Sequence, residues 1–223
     1  MNINKFYDFF QPETVGSRLH IIGCGAIGST VAENLVRFGI TEITLYDIDI
    51  VSSHNIANQM YEHGDIGKPK VSALRDMLCR INPECESNVR IVGDGWHGQR
   101  LSGYVFLCVD KIDLRRKIAT ENRNNAFVKA MFDFRMRLVD AQHYAANWKD
   151  PRMVESFIKS MDFTSEEAMA DTPVSACNLP LSIATTVRMI SACGVSNFIN
   201  FTKGNGLKKL IEINSENFKT NAF

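Results

Sequence analysis

Apolar residues in the first fifty positions fall into two short continuous runs separated by a helical stripe. The run Leu19–Ile22 stops at a glycine-rich turn, and the run Ile43–Tyr46 stops at Asp47. Between them, apolar residues recur at helical spacing, at Ile27, Val31, Leu35 and Phe38. Short apolar runs predict buried strands and three-to-four spacing predicts a helix, so this segment predicts a βαβ unit whose helix stops at Gly39.

The same alternation continues through the middle of the chain. A second helical stripe begins after Pro69, a residue favoured in the first turn of a helix, and Asn82-Pro83 ends it. We predict a strand over 89–92 and a central strand over 105–109, a continuous apolar run that ends on Asp110. A helix over about 114–124 then carries the chain back across the sheet.

The second half of the chain predicts strands that follow each other directly. Strands over 126–134 and 138–147 are separated by only a few residues, which favours antiparallel pairing. Helices are predicted over 151–161 and from Pro180 to Phe201, with a last strand over 208–214. These elements predict an α/β fold: a Rossmann-like, doubly wound, mostly parallel sheet with antiparallel strands at one edge, in a single domain over residues 1–223.

Composition and charge exclude several classes of protein. The chain has 25 Lys and Arg against 25 Asp and Glu, and 45% of its residues are hydrophobic, which excludes a disordered chain. A net charge of zero gives no overall attraction to nucleic acid or to an anionic membrane. The six cysteines form no C-x-x-C pair and the N-terminus lacks the pattern of a secretory signal, so we expect a cytoplasmic setting.

The glycine-rich turn after the first strand is the first candidate site. Gly23, Gly25 and Gly28 form a G-x-G-x-x-G between a predicted strand and a predicted helix. Such glycines let a phosphate approach the backbone amides at the start of the helix. Asp47 ends the next strand, where a carboxylate binds ribose hydroxyls. The segment predicts a nucleotide site, and a purely structural tight turn is the alternative.

Further motifs follow Asp47 in a fixed order. They occupy Asp47–Gln59, Asp65–Lys70 and Ile81–Pro83, and Asp110 closes the central strand. In this order the segment from Arg18 to Arg115 resembles the ThiF/MoeB family of ubiquitin-activating-type adenylyltransferases. The family pattern is a glycine-rich loop, then D-x-D-x-V-x-x-S-N-L-x-R-Q, G-x-x-K, N-P and an Asp after a central strand. The resemblance identifies the chain as a short, divergent ThiF-type nucleotide-binding domain.

The resemblance implies a reaction and a set of site residues. Family members bind ATP with Mg²⁺ and adenylate the C-terminal glycine carboxylate of a small ubiquitin-like or sulfur-carrier protein. They commonly form homodimers. The implied nucleotide-binding residues are Gly23, Gly25, Gly28, Asp47, Asn55, Gln59, Lys70 and Arg115. Lys70 and Asp110 are the implied catalytic residues, and Asp110 is the implied magnesium ligand. Asp49 is expected to bind nearby backbone amides instead of acting as a second catalytic acid.

Three departures from the family pattern bear on activity. Asn58 stands where the family has the arginine of R-Q, which removes a permanent charge and a bidentate phosphate ligand. An N-terminal R-x-x-R-Q segment and the zinc-binding C-x-x-C pairs of many members are also absent. Asn58 therefore marks either a weakened enzyme or a site completed by another cation, with Arg115 and Arg135 the candidates by motif position.

Cys177 is a further candidate catalytic residue. Some relatives use a cysteine before the C-terminal helices to take the activated carrier as a thioester or persulfide. Cys177 precedes the helix predicted from Pro180, and proximity to a helix N-terminus lowers the pKa of a thiol. A small core residue is the alternative for Cys177, whereas Cys24 in the glycine loop is expected to pack instead of reacting.

Three functional hypotheses remain open from the sequence. The first is an ATP-dependent adenylyltransferase that activates a carrier protein, and the second is a catalytically degenerate ATP-binding scaffold of the same fold. The third is an NAD-dependent oxidoreductase, which the glycine motif alone supports and which has no use for Lys70 and Asp110 in the roles given above. The sequence names neither the carrier nor the pathway.

Overall fold

One eight-stranded sheet organises the chain. The computed structural model describes residues 1–164, 166–167 and 181–223. The strands lie in the order β3-β2-β1-β4-β5-β6-β7-β8. They are β1 (Leu19–Ile22), β2 (Ile43–Tyr46), β3 (Arg90–Val92), β4 (Gly103–Leu107), β5 (Val128–Arg137), β6 (Asp140–Asn147), β7 (Leu210–Asn214) and β8 (Lys219–Ala222).

The sheet is parallel at one end and antiparallel at the other. The pairs from β3 through β2, β1 and β4 to β5 are all parallel, and β5–β6, β6–β7 and β7–β8 are antiparallel. The predicted mixed fold is therefore confirmed. β8 was not predicted, because its mostly exposed Lys-Thr-Asn-Ala sequence carries no apolar alternation.

Six helices complete the described part of the chain. They are α1 (Ala26–Arg37), α2 (Lys70–Ile81), α3 (Cys85–Asn88), α4 (Ile112–Glu121), α5 (Pro151–Lys159) and α6 (Ala184–Thr202). Three 3₁₀ helices occupy Pro12–Val15, Ser53–Ala57 and His63–Asp65. None of the described helices is long and apolar enough to cross a membrane. Cys177 and Pro180 lie outside the described residues.

Two hydrophobic clusters cover the two faces of the sheet. One joins β1, β2, β4 and β5 to α1, α2 and α6, with Phe106, Phe132 and Phe198 in ring contact at its centre. The other joins the opposite faces of these strands to α4 and α5. All four residues of β1 and of β2 are buried, as expected for parallel strands covered on both sides.

The strand order places a crevice at one edge of the sheet. β1 lies between β2 and β4, so the chain leaves β1 toward one side and leaves β4 toward the other. In doubly wound sheets, ligands bind outside the carboxyl ends of the strands at such a switch point. Gly23, Asp47 and Asp110 follow β1, β2 and β4, so the fold brings three predicted site residues to this crevice.

Two buried histidines are held in the neutral form. His20 lies beside Tyr46, and His143 accepts a hydrogen bond from Asn197 and donates one to the Asp133 carbonyl. The ring nitrogens therefore find partners without a second proton. Burial lowers the pKa of each imidazole to about 4, and the nearby Arg18 charge adds to the effect at His20.

These two histidines predict a loss of stability in mild acid. Between pH 6.5 and pH 4 the unfolded chain binds protons that the folded chain does not, so the free energy of unfolding falls as pH falls through this window. We expect each histidine to contribute about 2 kcal/mol to the loss between pH 7 and pH 5. Urea unfolding at these pH values checks the slope, and His143→Gln should be less stable with a shallower slope. An unchanged slope in that variant would contradict the assignment.

Candidate functional site

The turn after β1 is packed so tightly that two of its positions admit only glycine. Gly23 has φ +97°, and a Cβ there would lie 2.6 Å from the backbone carbon of Cys108. A Cβ on Gly28 would lie 1.8 Å from the Gly23 carbonyl oxygen. The first turn of α1 therefore sits directly against the end of β1 and the segment after β4, which fixes where the helix begins.

Gly25 lies in the same turn but faces open space. It is the N-cap residue of α1, no side chain caps the helix, and a Cβ on Gly25 would meet no atom within 4 Å. The first amides of a helix have no intrahelical partners, and the helix dipole makes this end positive. A group with negative charge, such as a phosphate, therefore fits against the turn at Gly25.

Asp47 is held in place by the glycine turn. One carboxylate oxygen accepts a 2.6 Å hydrogen bond from the Cys24 amide, and the other accepts a 2.8 Å bond from the Asp49 amide. Each carboxylate oxygen keeps a further lone pair. The half-buried carboxylate therefore has a fixed orientation at the end of β2 and retains acceptors for ribose hydroxyls.

Lys70 lies at the start of α2 with its ammonium group already paired. The side chain is largely buried, and Nζ donates to Asp49 at 2.8 Å. The predicted role of Asp49 as a partner of backbone amides is wrong for its carboxylate, which binds this ammonium group. An ammonium group has three donors, so one bond to Asp49 leaves two for a phosphate.

Tyr61 joins the glycine turn to α2. Its hydroxyl donates to the Cys24 carbonyl at 2.6 Å and also lies 3.3 Å from the Lys70 carbonyl oxygen. The residue is 4% exposed, and burial raises the pKa of its phenol. No pattern in the sequence predicts this contact, because Tyr61 lies within a polar stretch that indicates only a loop. Tyr61 fixes the distance between two phosphate-binding candidates.

The segment from Asn55 to Gln59 leads to Met60, whose amide donates to the Ser29 hydroxyl of α1 at 3.2 Å. The Asn55 side chain accepts from the Ser52 amide at 2.9 Å and so completes a capping box at the start of the 3₁₀ helix Ser53–Ala57, in which Asn55 lies. The Gln59 side-chain oxygen is buried without a hydrogen-bond partner in the described part of the chain. Asn58 donates to the hydroxyl of Ser182 at 2.8 Å, which ties this segment to the residues just before α6.

Asp110 differs from Asp47 in being exposed. It follows β4, and neither an ion pair nor a hydrogen bond joins its carboxylate to another described residue. No cluster of three metal-binding side chains occurs among the described residues. Mg²⁺ commonly takes one or two carboxylates together with substrate phosphates and waters, so a single free carboxylate beside a phosphate site fits this ion.

Arg115 and Arg135 both bind the buried carboxylate of Asp133. Arg115 is 7% exposed and binds Asp133 at 2.7 Å, the Phe134 carbonyl and the Val109 carbonyl. Arg135 binds the other Asp133 oxygen at 2.7 Å. Both arginines therefore have structural partners, and each has to share Asp133 before it binds a phosphate. Contact of Arg115 with the nucleotide, and replacement by either arginine of the charge that Asn58 lacks, stay predictions.

Burial disfavours the thiolate form of the two cysteines beside the turn. Cys24 is fully buried, and burial raises the pKa of the thiols of Cys24 and Cys108. A thiol with a raised pKa carries little of the reactive thiolate at neutral pH. The burial of Cys24 agrees with its predicted packing role, and Cys177 lies outside the residues that the structure describes.

A family model decides the classification. The model described as "ThiF family" matches residues 1–222. The chain belongs to the ThiF family. The family membership predicted from the glycine turn and the motifs after Asp47 is thereby confirmed. The match covers the antiparallel strands and α6 as well as the parallel half that carries those motifs.

Individual relatives of this ThiF-family chain match part of it. It is 32% identical over 133 residues to ubiquitin-like modifier-activating enzyme 5 of Caenorhabditis briggsae, which covers 53% of this chain and 30% of that protein. It is 30% identical over 123 residues to molybdopterin-synthase adenylyltransferase of Salmonella typhimurium, which covers 52% of this chain and 49% of that protein. These alignments therefore span less than half the length of either relative.

Structural similarity covers more of this ThiF-family chain than the sequence alignments do. The crystal structure of E. coli MccB with ATP superposes with a TM-score of 0.68 at 18% identity, covering 95% of this chain and 64% of that chain. At this identity the likeness shows the shared fold alone. The shared fold therefore covers a larger share of this chain than either sequence alignment does.

Proposed function

We propose that this chain binds ATP with Mg²⁺ and adenylates the C-terminal carboxylate of a small ubiquitin-like or sulfur-carrier protein. The observation that carries the proposal is the meeting of Gly25, Asp47, Lys70 and Asp110 at the carboxyl ends of three adjacent strands. An open helix N-terminus, a ribose acceptor, an ammonium group and an exposed carboxylate are the groups that nucleotidyl transfer requires.

Each group has a separate task in the proposed reaction. The amides at Gly25 and the Lys70 ammonium group bind phosphate oxygens, and Asp47 holds the ribose. Asp110 is the ligand for Mg²⁺, which neutralises charge on the phosphates when it is bound. The carrier carboxylate attacks the α-phosphorus and pyrophosphate leaves, so the chain positions reactants and forms no bond of its own at this step.

The relatives support the class of substrate. One relative is named for activating a ubiquitin-like modifier, and the other is named as the adenylyltransferase of molybdopterin synthase. The homodimer, the cytoplasmic location and the role of Cys177 stay predictions. Catalytic degeneracy is the second candidate, because Asn58 is neutral and Lys70 is paired with Asp49.

Carrier-dependent exchange of pyrophosphate into ATP tests the proposal. We expect Asp110→Ala to lower the exchange rate at least about 100-fold, because Mg²⁺ loses its carboxylate ligand. Asp76→Ala removes an exposed carboxylate from α2 outside the crevice and is expected to leave the rate unchanged. The carriers to be tried are small proteins ending in Gly-Gly, and a search of the neighbouring genes is the first place to look for them.

Binding of ATP and NAD, measured in parallel, separates the alternatives. ATP binding that Lys70→Ala weakens, with no exchange for any carrier, would support the ATP-binding scaffold. Preference for NAD over ATP would exclude both the enzyme and the scaffold. Exchange that survives Asp110→Ala unchanged would show that the magnesium ligand has been assigned to the wrong residue.

A further inference from the structure

Arg188 is a cation whose partners in the described chain are uncharged. It lies in the second turn of α6 and extends across to α1, where Nη1 is 3.1 Å from the Thr30 hydroxyl oxygen. The same nitrogen contacts the sulfur of Met60. No carboxylate lies within ion-pair distance of Arg188 among the residues that the structure describes. A thioether and a hydroxyl are weak partners for a guanidinium group.

The contacts of Arg188 place it beside the phosphate-binding candidates. Thr30 donates to the carbonyl of Ala26, the first residue of α1, at 2.9 Å. Met60 directly follows Gln59, whose buried side-chain oxygen has no described partner, and the Met60 amide donates to Ser29 of α1. The guanidinium group therefore lies between the first turns of α1 and the segment that contains Asn58.

The other cations considered for this site are bound to acids. Lys70 is paired with Asp49, and Arg115 and Arg135 share Asp133. Each of these groups has to share or give up a carboxylate before it binds a phosphate. Among the described residues, Arg188 has only neutral contacts to give up, and it is exposed on the surface. A guanidinium fork matches two phosphate oxygens at once and keeps its charge at any physiological pH.

We infer that Arg188 binds the β- and γ-phosphates of ATP in place of the arginine that Asn58 has replaced. The inference rests on the proposed function and names the residue that completes the phosphate site. The charge enters from α6 instead of from the segment after the 3₁₀ helix. Compared with the family pattern, the positive charge of the site is supplied by α6 instead of by position 58, and the net charge of the site is the same.

Calorimetric titration of the full chain with ATP and with AMP, each with Mg²⁺, tests this role. We expect Arg188→Gln to weaken ATP binding about 10- to 100-fold, the effect of one charge-assisted pair of hydrogen bonds. AMP lacks the β- and γ-phosphates, so its affinity should change less than about threefold. Arg188→Lys should recover part of the ATP affinity. Arg152→Gln, which removes an exposed arginine from α5, serves as the matched control.

A double variant that moves the arginine from position 188 to position 58 provides the second part of the test. Adding Asn58→Arg to Arg188→Gln returns an arginine to the family position, and we expect ATP affinity within about threefold of the original chain. If Arg188→Gln binds ATP as tightly as the control Arg152→Gln does, the inference is overturned and the proposed function still stands. Equal losses for ATP and AMP without rescue also overturn it, because they indicate a packing role. Failure of the unaltered chain to bind ATP overturns the proposed function as well.

Discussion

Gly28→Ala is expected to destabilise the protein by at least about 3 kcal/mol, at the upper end of the cost of overpacking. The added Cβ would lie 1.8 Å from the Gly23 carbonyl oxygen. The turn has no space to move into, because a Cβ built on Gly23 would itself lie 2.6 Å from the backbone of Cys108 and Val109. Urea unfolding followed by circular dichroism measures the loss.

Gly25→Ala is the matched control for this prediction. Its Cβ would meet no atom within 4 Å, and its φ of −73° is open to any residue, so we expect a stability change below about 1 kcal/mol. The methyl group instead occupies the space proposed for a phosphate, so ATP affinity should fall. Equal stability losses in the two variants would contradict the tight packing assigned to Gly28 alone.

Asp133→Ala is expected to cost about 3–5 kcal/mol of folding free energy, the usual penalty for leaving buried charge without its partner. Asp133 is fully buried, and its two oxygens bind Arg115 and Arg135 at 2.7 Å each. Removal of the carboxylate leaves the largely buried Arg115 guanidinium without a counter-charge. Thermal and urea unfolding provide the measurement.

An exposed carboxylate sets the baseline for this experiment. Asp162 is 82% exposed and lies 3.8 Å from Arg116, so Asp162→Ala should change stability by less than about 0.5 kcal/mol. Asp133→Asn keeps the shape of the side chain but removes its charge, and it should be destabilised as well. A loss below 1 kcal/mol in both Asp133 variants would mean that the arginines relax to solvent.

Local sequence was enough to predict the parallel half of the fold. The runs at β1 and β2 and the stripe of α1 each repeat the period of a single element, so neighbouring residues specify them. The same holds for Gly23, Gly28 and Asp47, whose place at a strand-to-helix turn follows from the elements on either side. The crevice residues could be named because the ends of adjacent parallel strands meet at one edge.

Contacts between distant residues were beyond the reach of the sequence pattern. Arg115 and Asp133 are separated by a helix and a turn, and Asp133 reads as one polar residue in an apolar strand. Arg188 meets Thr30 across 158 positions, and its helix reads as a weakly charged core element. Periodicity reports which face of an element is buried, whereas charge pairing depends on which elements pack together.

The buried acid on β5 has a consequence for the metal site. The largely buried Arg115 donates a hydrogen bond to the carbonyl of Val109, and Val109 immediately precedes Asp110. The exposed carboxylate at the rim is therefore the outer end of a chain of contacts that begins at Asp133, in the strand where the sheet changes from parallel to antiparallel. The backbone that carries the proposed magnesium ligand is therefore anchored, through Arg115, by a buried carboxylate of the neighbouring strand.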